Sequence, residues 1–263
     1  MNLPQPWLSV ITVVKDDRTG FEATRTSLLA QQVAGVEHVV VDGSTDRFEI
    51  PTVLDATAGS GPPTAYSWVP PSGVYTAMNA GIQAASGEYV YFANAGDRFY
   101  DESVLAYVRQ ITEAQSPAWM YGEIAIRDTH GHTVVTPRWD YAKEKAACFS
   151  RGRFPAHQAT FVRRTSLLEV GGFDTRYRIV ADYAAFLRLS ERWTPVYLDL
   201  IVATFSEGGL STQSWRESLR EFHRARIGVL RPTGARAVRE RFETLRQKAA
   251  MGLYRGIVRR PRP

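Results

Sequence analysis

Residues 73–97 read GVYTAMNAGIQAASGEYVYFANAGD and lay out a helix, a turn, a buried strand and an acidic tip, in that order. Met78, Ile82 and Ala85 recur at helical spacing, and Ser86-Gly87 stops the helix. Tyr89 to Ala93 is a short aromatic and β-branched run, the composition of a strand. Asn94-Ala95-Gly96-Asp97 then closes that strand with small and polar residues. In open α/β sheets ligands bind beyond the carboxyl ends of the strands, so a carboxylate there can hold a metal or a sugar hydroxyl. The same residue types also make turns by bonding their own backbone, and the stretch alone leaves both readings open.

Working outward, residues 8–14 (LSVITVV) form a near-continuous apolar run, as expected of a parallel strand buried on both faces. A helical pattern over 24–32 and a second apolar strand over 38–41 follow, ending in Asp42-Gly43-Ser44-Thr45-Asp46. That is a βαβ opening, so the fold class is α/β. Residues 55–73 are rich in Ala, Gly, Pro, Ser and Thr and predict a loop around one short strand at 66–69. A helix over about 102–114 completes the first half. After Pro117, residues 119–122, 123–126 and 132–135 read as strands, the last two joined by a His130-Gly131 hairpin turn. Helices are expected at 165–170, closed by Gly171-Gly172, and at 180–192. From Trp215 the pattern is helical and basic, interrupted at Arg231-Pro232 and Gly234.

The chain has 263 residues, 44% hydrophobic and 22% charged, which suits one large or two small globular domains and excludes a disordered or fibrous protein. No stretch reaches the ~18 consecutive apolar residues of a spanning helix, and no basic region precedes the short N-terminal apolar run. Neither a span nor secretion is expected. The single Cys148 allows no internal disulfide and no structural zinc cluster, consistent with a cytoplasmic protein. Charge is unevenly placed: residues 213–263 carry fourteen Arg or Lys against four Glu, a net of +10, whereas the whole chain is +5 and the remainder therefore −5. Such a tail favours an anionic membrane surface, with Trp215, Phe222, Ile227 and Leu230 as apolar contacts; a solvated or oligomer-facing helix pair is the other reading. Specific nucleic acid is not expected, because the tail carries no reading motif.

Asp16, Asp42 and Asp97 each follow an expected strand, so all three would line one carboxyl edge of the sheet. An ionised carboxylate only accepts, which suits Asp42 to a base N–H or a ribose hydroxyl; capping the next helix is the alternative. No G-x-G-x-x-G follows the first strand and no G-x-x-x-x-G-K-[ST] occurs, so phosphates would need a metal. Asp97, with Asn94 as a neutral oxygen donor, offers a sparse Mg2+ or Mn2+ site that substrate phosphates and water would complete. His157 lies in a polar turn, where it could touch acceptor or diphosphate or act as a structural hydrogen-bonder. Residues 205–211 (FSEGGLS) suit either a mobile loop over a bound ligand or a tight turn.

In LSVITVVKDD (8–17), VVVDGSTD (39–46), the 73–97 stretch, HQATFVRR (157–164), GGFDTRYRIVADYAAFLRL (171–189) and FSEGGLST (205–212), the chain resembles the GT-A-fold family 2 glycosyltransferases. Within them it is similar to the bacterial exopolysaccharide type related to colanic-acid transferases. The resemblance implies a Rossmann-like, mostly parallel sheet with flanking helices and a small acceptor-side β region. It divides the chain into a nucleotide-sugar-binding half (1–116), an acceptor-binding and catalytic half (117–212) and a basic helical tail (213–263). The implied activity is inverting transfer of a sugar from a nucleotide-sugar donor to a glycan or lipid-linked acceptor, in the cytoplasm or on the inner face of the plasma membrane. Asp16, Asp42, Asn79 and Asn94 then fall to the donor, Asp97 to the metal, His157 to acceptor or diphosphate, and Asp182 to the general base. Asp182 also sits where its charge would stabilise a helix N-terminus, which is its alternative role.

Two departures bear on activity. The family's DxD carboxylates are replaced by Asn94 and Gly96, leaving Asp97, and the usual Tyr-Asp-Ala-Met-Asn reads Tyr75-Thr76-Ala77-Met78-Asn79, which removes another acid. These losses motivate a second reading, a catalytically weak or inactive nucleotide-binding GT-A protein.

Overall fold

Strands β1 (Leu8–Val14), β2 (Val36–Asp42), β3 (Thr64–Trp68) and β4 (Tyr89–Phe92) run parallel in the order β3-β2-β1-β4. In this computed structural model residues 5–127, 133–138, 141, 144, 145, 149, 154–206 and 215–258 are described. The sheet continues from β4 through β8 (Thr160–Arg163), β6 (Trp119–Arg127), β9 (Val196–Ser206) and the short β5 (Arg98–Phe99). β7 (Thr133–Val135) pairs antiparallel with β6. Beyond β4 the pairing is mixed: β4 with β8, β8 with β6 and β9 with β5 are antiparallel, and β6 with β9 is parallel. One sheet therefore runs through both expected halves. The helices are α1 (Arg18–Leu29), α2 (Glu49–Ala56), α3 (Val74–Ala84), α4 (Val104–Gln115), α5 (Arg164–Glu169), α6 (Ala181–Arg192), α7 (Trp215–Leu230) and α8 (Gly234–Val258).

Alternation along β1 explains the two packed faces, because successive side chains in a strand point to opposite sides. Ile11 joins Met78, Ile82 and Phe92 on one face, and Leu8 and Val10 join Leu105 and Val108 on the other. Ile11, Met78, Ile82 and Phe92 are at most 2% exposed, and burying each contributes ~1.5–3 kcal/mol. At Gly81 a Cβ would stand 2.4 Å from Ile11 Cγ2, so glycine lets α3 lie close against β1. That approach sets the position of the α3 residues used by the site.

Several expected boundaries move for identifiable reasons. The first helix begins at Arg18, six residues before the expected start, because the Asp17 side chain accepts the Gly20 N–H at 2.8 Å and caps it. α2 entered the sequence reading only as the helix that Asp42 could cap; its Pro51 stands in the first turn, where a missing N–H is tolerated, and Ile50 and Val53 are buried. The two strands expected at 119–126 are one, with a bulge at Gly122, where a Cβ would meet Leu200 O at 2.6 Å. β9 has no counterpart among the elements expected from pattern. The His130-Gly131 turn, Cys148 and residues 207–211 of the glycine loop lie outside the described residues, and Phe205 and Ser206 end β9.

The tail does not begin as a separate unit. α7 packs on α6: Phe222 meets Tyr183 at a ring distance of 4.7 Å and Phe154 at 6.0 Å, and Ala225 and Arg226 are fully buried. Phe222 and Leu230 thus belong to the core and are not free for lipid, and Ile227 is half-buried. Among the described residues no helix is long and apolar enough to cross a membrane.

Candidate active site

Because β1, β2 and β4 are parallel, the residues after them share one edge of the sheet. After β1, Asp16 takes a left-handed φ of 50°, its N–H donates to Ser44 Oγ at 2.8 Å, and its Oδ1 accepts the Thr45 N–H at 2.7 Å. The Thr45 N–H holds this exposed carboxyl below the ordinary range. After β2, Asp42 is fully buried. Its Oδ1 accepts the Ser44 N–H at 2.8 Å and its Oδ2 accepts the Tyr66 hydroxyl at 2.9 Å. Burial, with Asp42 beside it, pushes the Tyr66 phenol up to about 12. Each Asp42 oxygen thus holds one partner inside the loop, and through Ser44 and Tyr66 Asp42 shapes that loop. Around that loop the Trp68 indole N–H donates to Ser44 O at 2.9 Å, and the Arg47 guanidinium stacks 3.5 Å above the Trp68 ring.

The turn after β4 depends on Gly96, at φ 97°. Thr24 on α1 gathers the turn: its hydroxyl donates toward Asp97 O at 2.7 Å and Asn94 O at 3.1 Å, and it accepts the Gly96 N–H at 3.0 Å. Asp97 Oδ2 accepts the Asn94 N–H at 3.1 Å, so the turn does bond its own backbone. Asp97 is only 6% exposed, and burial pushes its carboxyl up to about 6 against the opposing pull of His157. Beside it, Asn94 Oδ1 is buried with no hydrogen-bond partner. One carboxylate and one amide oxygen are donors of the hard type that Mg2+ or Mn2+ takes. No group of three or more His, Cys, Asp or Glu gathers as a metal cluster among the described residues, so most of the shell would come from substrate phosphates and water.

His157 opens a single 3-10 turn before β8 and links that edge to α6. Its Nδ1 lies 3.4 Å from Asp182 Oδ2, and its Nε2 lies 3.2 Å from Asn94 Nδ2. The neutral ring therefore carries its proton on Nδ1, with Nε2 accepting from the Asn94 amide. Burial alone would lower the imidazole, but the hydrogen bond and charge of Asp182, joined by Asp97, outweigh it and hold His157 above its ordinary value. Asp182, in the first turn of α6, is 8% exposed. Its Oδ1 accepts the Tyr75 hydroxyl at 3.0 Å and the Tyr183 N–H at 2.8 Å, which leaves Oδ2 as the less committed oxygen. The one Tyr75 phenol proton is shared with Ile179 O at 2.7 Å, and burial next to Asp182 pushes its phenol far up.

Asn79, assigned to the donor by resemblance, is spent elsewhere: its Nδ2 donates to Phe173 O at 2.7 Å and its Oδ1 accepts the Phe173 N–H at 2.9 Å. Three residues join the site that the sequence reading passed over. Tyr75 stood inside the quoted stretch, and Thr24 looked like an ordinary helix residue. Glu221, on α7, is 5% exposed and accepts the N–H groups of Arg178 and Ile179 at 2.9 Å each and of Val180 at 3.2 Å. It thereby fixes the segment that leads into Asp182. Its only sequence signal is that it is one of two acids, with Glu217, in a mostly basic helix.

Residues 9–171 match the family model described as glycosyl transferase family 2. An uncharacterised glycosyltransferase of Mycobacterium tuberculosis is 29% identical over 225 residues, covering 79% of this chain and 78% of that protein. A PGL/p-HBAD biosynthesis glycosyltransferase of Mycobacterium bovis is 30% identical over 212 residues, covering 78% of this chain and 79% of that one. Among solved structures, residues 1–349 of Staphylococcus aureus TarS superpose with a TM-score of 0.69 at 15% identity, covering 97% of this chain and 75% of that one. The mannosyltransferase PcManGT from Pyrobaculum calidifontis, solved with GDP-Man and Mn2+, gives a TM-score of 0.66 at 14% identity, covering 96% and 76%. These neighbours share the curled α/β sheet, and the chain is a GT-A-fold member of glycosyl transferase family 2.

Proposed function

We propose that this glycosyltransferase moves a sugar from a nucleotide-sugar donor to a hydroxyl of a glycan or glycolipid acceptor of the bacterial envelope, with inversion, and that Asp182 is the general base. The observation that carries this is the anchoring of Asp182 Oδ1 by Tyr75 and the Tyr183 N–H, while Oδ2 has only the longer 3.4 Å contact with His157 Nδ1 and keeps a lone pair to receive a proton. As the acceptor oxygen bonds to the anomeric carbon its proton passes to Asp182, and the bond to the diphosphate breaks with its electron pair leaving on the nucleoside diphosphate. A single displacement of this kind needs one carboxylate base and no protein nucleophile. His157, between Asp182 and Asn94, orients the base, and on this reading it would also meet the diphosphate. Asp97 and Asn94 would hold Mg2+ or Mn2+, which when bound offsets the charge of the leaving diphosphate.

The donor class is supported by solved complexes of TarS with UDP and UDP-GlcNAc and of PcManGT with GDP-Man. A role in biosynthesis is supported by the relative named as a PGL/p-HBAD biosynthesis glycosyltransferase. A thermal-shift screen over UDP-, GDP- and dTDP-sugars, followed by release of nucleoside diphosphate with the stabilising donor, tests the reading. Stabilisation by one base with turnover on a glycolipid acceptor is expected. Stabilisation with no release on any acceptor favours the inactive nucleotide-binding alternative.

A further inference from the structure

The last helix is built inside out. α8 turns a polar face to α7: Glu240 Oε2 accepts Arg226 Nε at 2.9 Å, Thr244 Oγ1 accepts Arg226 Nη2 at 3.0 Å, and Thr244 meets His223 Nδ1 at 2.9 Å. Arg226 is fully buried and Thr244 only 4% exposed. Its opposite face is apolar and open, with Val238 68%, Phe242 67% and Leu245 63% exposed. Their spacing of four and three residues places them in one stripe of a 3.6-residue helix. On the same geometry exposed Arg241 lies along one flank of the stripe, and exposed Arg239 and Arg246 lie along the other.

We propose that this face docks on an anionic lipid bilayer, lying in the interface with Val238, Phe242 and Leu245 in the acyl boundary and the flanking arginines at the headgroups. A cluster of apolar side chains between two cationic flanks is the arrangement that binds such surfaces, because apolar burial and headgroup attraction act together. Charge separation on the helix selects this occupant over a second copy of the chain. Glu240 is turned inward onto Arg226 and Glu243 is ion-paired with Arg246, so two copies of the face would bring like charges together, whereas anionic headgroups complement them. The face lies on the tail, away from the Asp182 cluster in sequence, and its role is independent of the donor and acceptor chosen above.

The test is sedimentation of the full chain with vesicles of mixed phosphatidylglycerol and phosphatidylcholine, and of phosphatidylcholine alone, at low and high salt. Strong pelleting with the anionic vesicles that falls with salt is expected. Phe242→Ser with Leu245→Ser should weaken it by roughly tenfold or more, and Arg239→Gln with Arg241→Gln by roughly 25-fold at low salt. All four positions are exposed, so unfolding midpoint and donor affinity should be unchanged in both variants, which separates lost docking from lost fold. Equal binding to both vesicle types, or pelleting indifferent to both double variants, overturns the proposal. So does a dimer in lipid-free solution that Phe242→Ser with Leu245→Ser converts to monomer while vesicle binding persists.

Discussion

Tyr75 donates its phenol proton to Asp182 Oδ1 at 3.0 Å across 107 residues of chain. α3 and α6 thus meet at the proposed base, and the phenol also ties down Ile179 O just ahead of it. Tyr75→Phe removes the donor to both oxygens while keeping the ring that packs against Phe173. We expect kcat to fall about tenfold, the worth of one buried hydrogen bond to a charged group, with donor KM nearly unchanged. Steady-state kinetics with donor and acceptor varied separately checks this, and an equal loss in donor KM would place Tyr75 on the donor instead.

Glu221 holds the 178–180 backbone from a different helix, so it acts on the site through Asp182. In Glu221→Gln an NH2 group replaces one accepting oxygen and faces backbone N–H donors, which costs about 1–3 kcal/mol of stability. At a temperature where the variant is fully folded, kcat should still be reduced about tenfold with donor affinity retained. Recovery of full kcat under those conditions would make the role structural only.

Asp97 is held near 6 by burial, so its anionic form grows in between about pH 5 and 7. Nucleoside diphosphate should bind more tightly across that range in the presence of Mn2+, whereas nucleoside affinity stays flat. Asp97→Asn should remove most of the pH dependence and weaken diphosphate binding about tenfold. Calorimetric titration of both ligands at pH 5 and 7 measures it; parallel losses for the two would show that Asp97 only shapes its turn.

A separate pH effect belongs to the core. His38 is fully buried, accepts from Arg25 Nη1 at Nδ1 (2.9 Å) and faces Thr12 Oγ1 at Nε2 (2.9 Å), so the neutral Nε2–H form is the one that fits. Burial and Arg25 push it down to about 3. Its folded value lies below its unfolded value near 6.5, so the stability it contributes is complete above 6.5 and is lost as pH falls from there toward 3. The stability difference between wild type and His38→Gln should shrink by about 1.4 kcal/mol between pH 7.5 and 5.5. Urea unfolding at the two pH values decides it, and a constant difference would contradict the assignment.

The parallel start of the sheet was legible because buried parallel strands announce themselves as apolar runs, as in residues 8–14 and 38–41, whereas the order of strands and β9 were not. The acidic edge was legible too, since Asp16, Asp42 and the Asn94–Asp97 turn follow strands that do lie side by side. What pattern could not reach was which acid is open. Asp42 looks like Asp16 in sequence, but Asp42 is fully buried under Tyr66 while Asp16 stays exposed. Reading position 76 for a missing carboxylate also hid the neighbour that matters, because a phenol at 75 carries no charge to notice. In the tail, helical periodicity marks an apolar face without saying where it points. Phe222 on α7 turns inward and Phe242 on α8 outward, and Arg226 decides the difference by taking the polar side of α8 for itself.

The most direct test of the proposed chemistry is single-turnover sugar transfer by Asp182→Asn, with donor affinity measured on the same preparation. The asparagine keeps an acceptor for Tyr75 but cannot take the hydroxyl proton. Transfer should fall on the order of 10²–10⁴-fold while donor Kd stays within about twofold, the signature of a lost general base. Transfer within about threefold of wild type would contradict the base assignment and return Asp182 to the role of a charge that steadies the start of α6.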